Sequence, residues 1–107
     1  MSMTSGAVHP AAVSAERQIS YLERLRGELE DRGLSARLTS TPGRPPRLHV
    51  LNPSASALTE DIEVQFALDG WWFLWSWAER VCSAEDITGA ADVVERVLYV
   101  YPARDWG

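Results

Sequence analysis

The most constraining feature of this sequence is a pair of apolar, aromatic and β-branched runs separated only by Asp69-Gly70. The first run extends from Ile62 to Leu68 and the second from Trp71 to Ala78. Asp-Gly between two such runs favours a two-residue type I′ turn and predicts a β-hairpin. If Leu68 pairs with Trp71, then Ile62 lies opposite Trp77. The chain must therefore adopt a fold that covers a strongly apolar sheet face.

Alternation along the two strands divides the side chains of this hairpin between two faces. One face collects the large apolar residues Ile62, Val64, Phe66, Leu68, Trp71, Phe73, Trp75 and Trp77. The other face is polar except for Trp72 and Leu74. Burying a large aromatic side chain is worth on the order of 3 kcal/mol before entropy is counted. We therefore expect the first face to form the core and Trp72 to point outward.

The segments on either side of the hairpin predict two helices and a second pair of strands. Apolar residues recur every three or four positions between Ala11 and Arg32, which is typical of an amphipathic helix that ends at Gly33. Leu34 to Thr39 and Leu48 to Val50 alternate in polarity, as half-buried strands do. A closing helix carries its apolar face on Ala90, Val94, Val97, Leu98 and Tyr101 and stops at Pro102, after a cap at Ser83 and Asp86.

This order of elements predicts an α+β fold. We expect an N-terminal helix, a four-stranded antiparallel meander and a C-terminal helix, with both helices on one sheet face. A single domain is predicted over residues 11–102. Residues 1–10 and 103–107 are predicted to be tails.

Composition excludes several classes of partner. The ten basic residues are all arginine and stand against fifteen acidic residues, for a net charge of −5. Such a chain is poorly suited to binding nucleic acid, which depends on cationic contacts. The most apolar run, Gly70 to Ala78, is far shorter than the ~20 residues of a membrane-spanning helix. The start of the chain lacks the features of a signal peptide, and Cys82 has no internal disulfide partner, so we expect a cytoplasmic protein.

The open sheet face is the leading candidate for function. If both hairpins share one sheet, Leu51 lies on the same side as Trp72 and Leu74. Aromatic residues and arginines dominate the energetics of protein interfaces. We therefore expect a non-enzymatic interaction or adaptor domain that binds a protein partner or a second copy of itself, giving a homodimer. The interface residues would be Trp72, Leu74 and Leu51.

An alternative is a domain that binds a small molecule or an anion through Arg37, Arg47, His49 and Trp72, with Glu63 as a further possible ligand-binding residue. Guanidinium groups match the geometry of carboxylates and phosphates. The same arginines could instead form ordinary surface ion pairs. His49 is the only plausible base, and no arrangement with Cys82, zinc-ligand spacing or phosphate-binding loop accompanies it. The sequence therefore predicts no enzyme, no cofactor and no metal.

The segment from Leu48 to Val81 resembles a group of small uncharacterised actinobacterial proteins that share a Trp-Trp-Phe-x-Trp-x-Trp-x-Glu-Arg strand. The residues that carry this resemblance are Asn52, Pro53, Trp71, Trp72, Phe73, Trp75, Trp77, Glu79 and Arg80. The resemblance implies a bacterial cytoplasmic protein from a GC-rich genome and brings no activity with it.

Overall fold

The protein is a two-layer α+β structure in which one antiparallel sheet supports two helices. The computed structural model describes residues 10–67, 69–77 and 79–98. Its elements are α1 (Pro10–Asp31), β1 (Ser35–Thr39), β2 (Arg47–Asn52), β3 (Ala55–Ala67), β4 (Gly70–Trp75), β5 (Arg80–Ser83) and α2 (Ile87–Leu98). The strands are ordered β1-β2-β3-β4-β5, and each pairs antiparallel with its neighbours. The predicted fold class is confirmed, but the described sheet has five strands and the prediction of four was wrong.

The additional strand arises because the tryptophan-rich run does not continue as one strand. β4 ends at Trp75, and Ser76 and Trp77 lie in a turn. The Trp75 amide donates a hydrogen bond of 2.9 Å to the Glu79 carbonyl, which closes that turn. β5 then runs back along β4 and places Cys82 opposite Phe73.

The long central strand β3 joins the two predicted hairpins into one sheet. β3 has 13 residues and begins at Ala55, seven residues before the predicted start of the hairpin strand at Ile62. Its first half pairs with β2 and places Asp61 opposite His49. Its second half pairs with β4. The two hairpins therefore share one sheet, which the sequence alone left open.

The β3–β4 register differs by two residues from the predicted one. Ile62 lies opposite Trp75 rather than Trp77, and Ala67 pairs with Gly70. Gly70 has φ 134°, a conformation that side-chain-bearing residues rarely adopt. Because side chains alternate with a period of two, a two-residue shift leaves every strand residue on its predicted face.

Two aromatic residues expected in the core are exposed instead. Trp77 lies in the turn after β4 and is 52% exposed, although its ring stacks on Trp75 at 5.3 Å. Phe66 is 65% exposed near the end of β3, where its ring meets Trp71 edge-on at 5.3 Å. Both positions lie at or beyond the ends of the paired strands, so neither ring is enclosed by the helices.

The core forms between the helices and one face of the sheet. α1 contacts β1, β2 and β3, while α2 contacts β3, β5 and α1, so both helices cover the same face as predicted. The largest fully buried side chains are Phe73, Leu22, Leu25, Leu29, Leu48, Ile62, Leu98, Val50, Val64 and Val94. The predicted face of α1 and the predicted apolar face of the hairpin supply most of this set.

The helix ends follow the capping signals in the sequence. Gly33 has φ 90°, its amide donates to the Glu30 carbonyl, and the Leu34 amide donates to the Leu29 carbonyl at 3.0 Å. This is a Schellman C-cap, in which glycine tolerates the left-handed conformation. Asp86 caps α2 by accepting a hydrogen bond of 2.9 Å from the Gly89 amide.

Arg32 ties the end of α1 to α2. Its guanidinium donates to Glu28 on its own helix, and to Asp92 and Glu95 on α2. No helix in the described part of the chain has the length and hydropathy needed to cross a bilayer. Pro10 begins α1 rather than ending a tail, while residues 1–9, Tyr101, Pro102 and the predicted tail 103–107 lie outside the described residues.

Candidate functional site

The sheet face that points away from the helices, called the open face below, carries cross-strand rows of polar side chains. In one row, Arg37 of β1 lies opposite His49 of β2, which lies opposite Asp61 of β3. A second row, called the long row, crosses all five strands. It consists of Thr39, Arg47, Glu63, Leu74 and Arg80. The predicted candidate residues Arg37, Arg47, His49 and Glu63 are therefore brought together.

A charged cluster occupies the β2–β3 part of the open face. His49 Nδ1 lies 2.7 Å from Asp61 Oδ1. Because a carboxylate can only accept a hydrogen bond, Nδ1 is the donor in this contact. Arg47 lies 3.8 Å from Asp61 and 3.6 Å from Glu63. At this partial exposure each ion pair contributes about 0–1 kcal/mol, so the cluster orders its side chains more than it stabilises the fold.

Two arginines beside this cluster remain available to a ligand. Within the described ranges, neither Arg37 nor Arg44 has a carboxylate within ion-pair distance. Arg44 and Arg47 line a hollow of about 230 Å³ at the end of the β1–β2 hairpin. Its other lining residues are Thr39, Thr41 and Pro45. Sites for drug-sized ligands measure about 300–1,000 Å³, so this hollow suits a compact anion.

Trp72 is fixed by its neighbours at the β4–β5 side of the open face. Its indole Nε1 donates a hydrogen bond of 2.9 Å to Asp69. The Arg80 guanidinium carbon lies 4.2 Å from the ring centroid and its nitrogen 3.8 Å from Asp69. A cation–π contact at an exposed site is worth roughly 0.5–1 kcal/mol. Trp72 is thus half-buried and serves as a platform that orders Arg80.

The structure does not bring Leu51 and Leu74 together. Leu51 lies opposite Thr59 and Leu74 opposite Glu63, on β2 and β4 respectively. Strand spacings of ~4.8 Å and a rise of ~3.4 Å per residue place the two leucines about 17 Å apart. The charged cluster lies between them. The open face is therefore a charged surface with separate apolar points rather than one apolar patch.

The described residues form neither a Cys82–His49 pair nor a metal site. Cys82 lies opposite Phe73 and packs against the core, on the other side of the sheet from His49. Burial and the nearby Asp86 carboxylate raise the pKa of the Cys82 thiol, which disfavours the reactive thiolate. Across residues 10–67, 69–77 and 79–98, no three His, Cys, Asp or Glu side chains are grouped to hold a metal ion.

Sequence reasoning missed three contributors to this surface, namely Asp61, Arg44 and Arg80. Alternation along the predicted hairpin places Asp61 on its polar face, but the pairing of Asp61 with His49 depends on the β2–β3 register. Arg80 joins the open face only because the Ser76–Trp77 turn starts a fifth strand. Arg44 lies in a loop, where periodicity carries no signal.

Comparison of the chain with protein-family models, with curated proteins and with solved structures finds no match. The resemblance to actinobacterial proteins with the tryptophan-rich strand therefore stays a prediction.

Proposed function

We propose that this protein is a non-enzymatic interaction domain whose open face binds an extended, acidic segment of another protein. The observation that carries the proposal is the long row, which sets ordered arginines on both sides of Leu74. Arg47 is held by Asp61 and Glu63, and Arg80 is held against Trp72. Guanidinium groups that are ordered before binding lose less entropy when they engage a carboxylate.

The charges around the long row favour an acidic partner. The surface around the long row carries more arginines than carboxylates. It has four arginines, Arg37, Arg44, Arg47 and Arg80, and three carboxylates, Asp61, Glu63 and Asp69. This surface is therefore basic although the whole chain carries a net charge of −5. Such a local excess steers acidic partners toward the surface.

The spacing of the arginines defines the ligand further. Arg47 on β2 and Arg80 on β5 are separated by three strand spacings, or about 14 Å. An extended peptide covers that distance in about four residues. The preferred segment therefore carries acidic residues at positions i and i+4, with an apolar residue between them that contacts Leu74.

A second copy of the chain suits the open face less well. Face-to-face pairing of two sheets would bury the His49–Asp61 and Arg47–Glu63 clusters of both copies. Desolvating charged groups costs several kcal/mol per ion unless new partners replace the lost water. The predicted homodimer therefore enters the proposal as an alternative outcome. The single Cys82, which has no internal partner for a disulfide, supports placing the interaction in the cytoplasm.

Selection of peptides from a random displayed library tests the proposal. Peptides selected on the wild-type protein should be enriched in Asp or Glu four positions apart. Arg47→Gln and Arg80→Gln should each weaken a selected peptide about tenfold, since a hydrogen bond to a charged group is worth about 1.5–3 kcal/mol. Arg96→Gln, at an exposed position on α2, is the matched control and should leave binding unchanged.

Two results would overturn the proposal. One is a set of selected peptides without acidic enrichment, or whose binding is the same in the Arg47→Gln and Arg80→Gln variants. The other is a stable dimer in sedimentation experiments that dissociates when Leu74 is replaced by Ser, because the open face would then be a self-association surface.

A further inference from the structure

A second hollow lies on the opposite side of the molecule, between α1 and the turn that follows β5. It has a volume of about 240 Å³ and is lined by Arg17, Ser20, Tyr21, Arg24 and Glu85. None of these residues belongs to the open face. A ligand bound in this hollow would therefore not contact the open face.

Arg17 and Arg24 lack carboxylate partners, unlike Arg26, which is the third arginine of α1. Arg26 pairs with Glu23 and Glu30. In the described part of the chain, Arg17 and Arg24 have no carboxylate within ion-pair distance. On an acidic chain with abundant carboxylates, two neighbouring arginines without such partners are available for a ligand.

The helix places these groups on one side of the hollow. Arg17, Ser20 and Arg24 stand at positions i, i+3 and i+7, which share one face of an α-helix. The helical rise sets the two arginine Cα atoms about 10 Å apart along the axis. The two long side chains can therefore converge on a group that lies over the Ser20 hydroxyl.

The opposite wall is rigid and carries one negative charge. The Tyr21 hydroxyl donates a hydrogen bond of 2.5 Å to Glu85. The Tyr21 ring is only 8% exposed and lies 5.6 Å from the Trp71 ring. Arg24 lies over the same ring, 5.8 Å from its centroid. Glu85 is thereby fixed at the end of the hollow, and its second carboxylate oxygen can accept a further hydrogen bond.

We propose that this hollow binds a small phosphate monoester that also carries an ammonium group. A phosphate dianion has enough oxygens to engage both guanidinium forks and the Ser20 hydroxyl, whereas one carboxylate satisfies a single fork. The ammonium group would donate to Glu85. The volume suits a compact molecule and leaves no room for a nucleotide.

Titration with O-phosphoethanolamine, followed by NMR or calorimetry at constant ionic strength, tests this site. It should bind at least several-fold more tightly than inorganic phosphate or ethanolamine alone. Arg17→Gln and Arg24→Gln should each reduce its affinity about tenfold or more. Glu85→Gln should remove the preference over inorganic phosphate, because glutamine can still accept the Tyr21 hydrogen bond but carries no charge.

Arg47→Gln and Arg96→Gln serve as controls, and both should bind O-phosphoethanolamine as the wild type does. The proposal is wrong if O-phosphoethanolamine binds no more tightly than ethanolamine. It is also wrong if the Arg17→Gln and Arg24→Gln variants keep wild-type affinity. Loss of binding in Arg47→Gln would place the anion in the hairpin hollow instead. Peptide selection on the open face is unaffected by any of these results, so the two proposals fail separately.

Discussion

Separate replacement of Trp75 and Trp77 by alanine tests how the stacked pair at the end of β4 divides between core and surface. Trp75 is 6% exposed, so Trp75→Ala removes an almost fully buried indole ring and leaves a cavity in the core. The expected loss of unfolding free energy is about 3–5 kcal/mol. Against a total of about 5–15 kcal/mol, this loss leaves a marginally folded domain.

Trp77→Ala should lower the unfolding free energy by less. Trp77 is 52% exposed, so only part of its side chain leaves water on folding. The stacked ring contact with Trp75 at 5.3 Å adds about 0.5–1.5 kcal/mol. Burial of about half of the side chain contributes roughly 1.5 kcal/mol, so the total expected loss is about 2–3 kcal/mol. At roughly 4–8 °C per kcal/mol, the Trp77 variant should melt about 8–24 °C below the wild type.

Urea denaturation followed by far-UV circular dichroism measures both losses, because removing a tryptophan would distort a fluorescence signal. The double variant completes a thermodynamic cycle whose coupling energy should equal the stacking contribution. Equal losses for Trp75→Ala and Trp77→Ala would refute the reasoning. Such a result would mean that Trp77 lies in the core and that Ile62 pairs with it, as the initially predicted register requires.

Two further predictions concern glycine conformation and pH dependence. Gly27→Ala should stabilise the protein by about 0.5–1 kcal/mol, because Gly27 lies within α1 and has open space where a Cβ would be added. Gly33→Ala should destabilise the protein by about 1–2 kcal/mol, because φ is 90° at Gly33. If chemical denaturation shows shifts of the same sign for both variants, this account is wrong. Burial, with a smaller contribution from Asp61, raises the pKa of Glu60 above its ordinary value of 4.5. The folded state therefore holds this proton to higher pH than the unfolded chain, so the contribution of Glu60 to stability falls as pH rises through that range. Glu60→Gln should melt at a higher temperature than the wild type at pH 7, and this gain should vanish below pH ~4; an equal gain at both pH values would rule out the charge as its cause.

Local periodicity was sufficient to predict most of the core. The spacing of Leu22, Leu25 and Leu29 identifies the buried side of α1, and alternation assigns Ile62 and Phe73 to the covered face. These assignments survive the register error because the error is an even number of residues. The open-face positions of Arg37, His49 and Arg47 follow from the same alternation.

Long-range pairing explains what the sequence did not reveal. Residues 55–59 are mainly small and polar, and their strand conformation depends on pairing with β2 rather than on intrinsic propensity. Without that pairing, the contact between His49 and Asp61 cannot be anticipated. Likewise, the contact between the Trp72 ring and Arg80 depends on the turn at Ser76 and Trp77, which brings Arg80 of β5 next to β4.

The order of strands in the sheet also bears on how quickly the chain can fold. Each strand pairs only with the strand before or after it in the chain, so loop closures during sheet formation are short. Folding rates fall as the sequence separation between contacting residues grows, and this meander keeps that separation low. Pairing can advance strand by strand from β1 as the chain leaves the ribosome. At each stage the strand formed last is the unpaired edge of the growing sheet, until β5 completes the sheet.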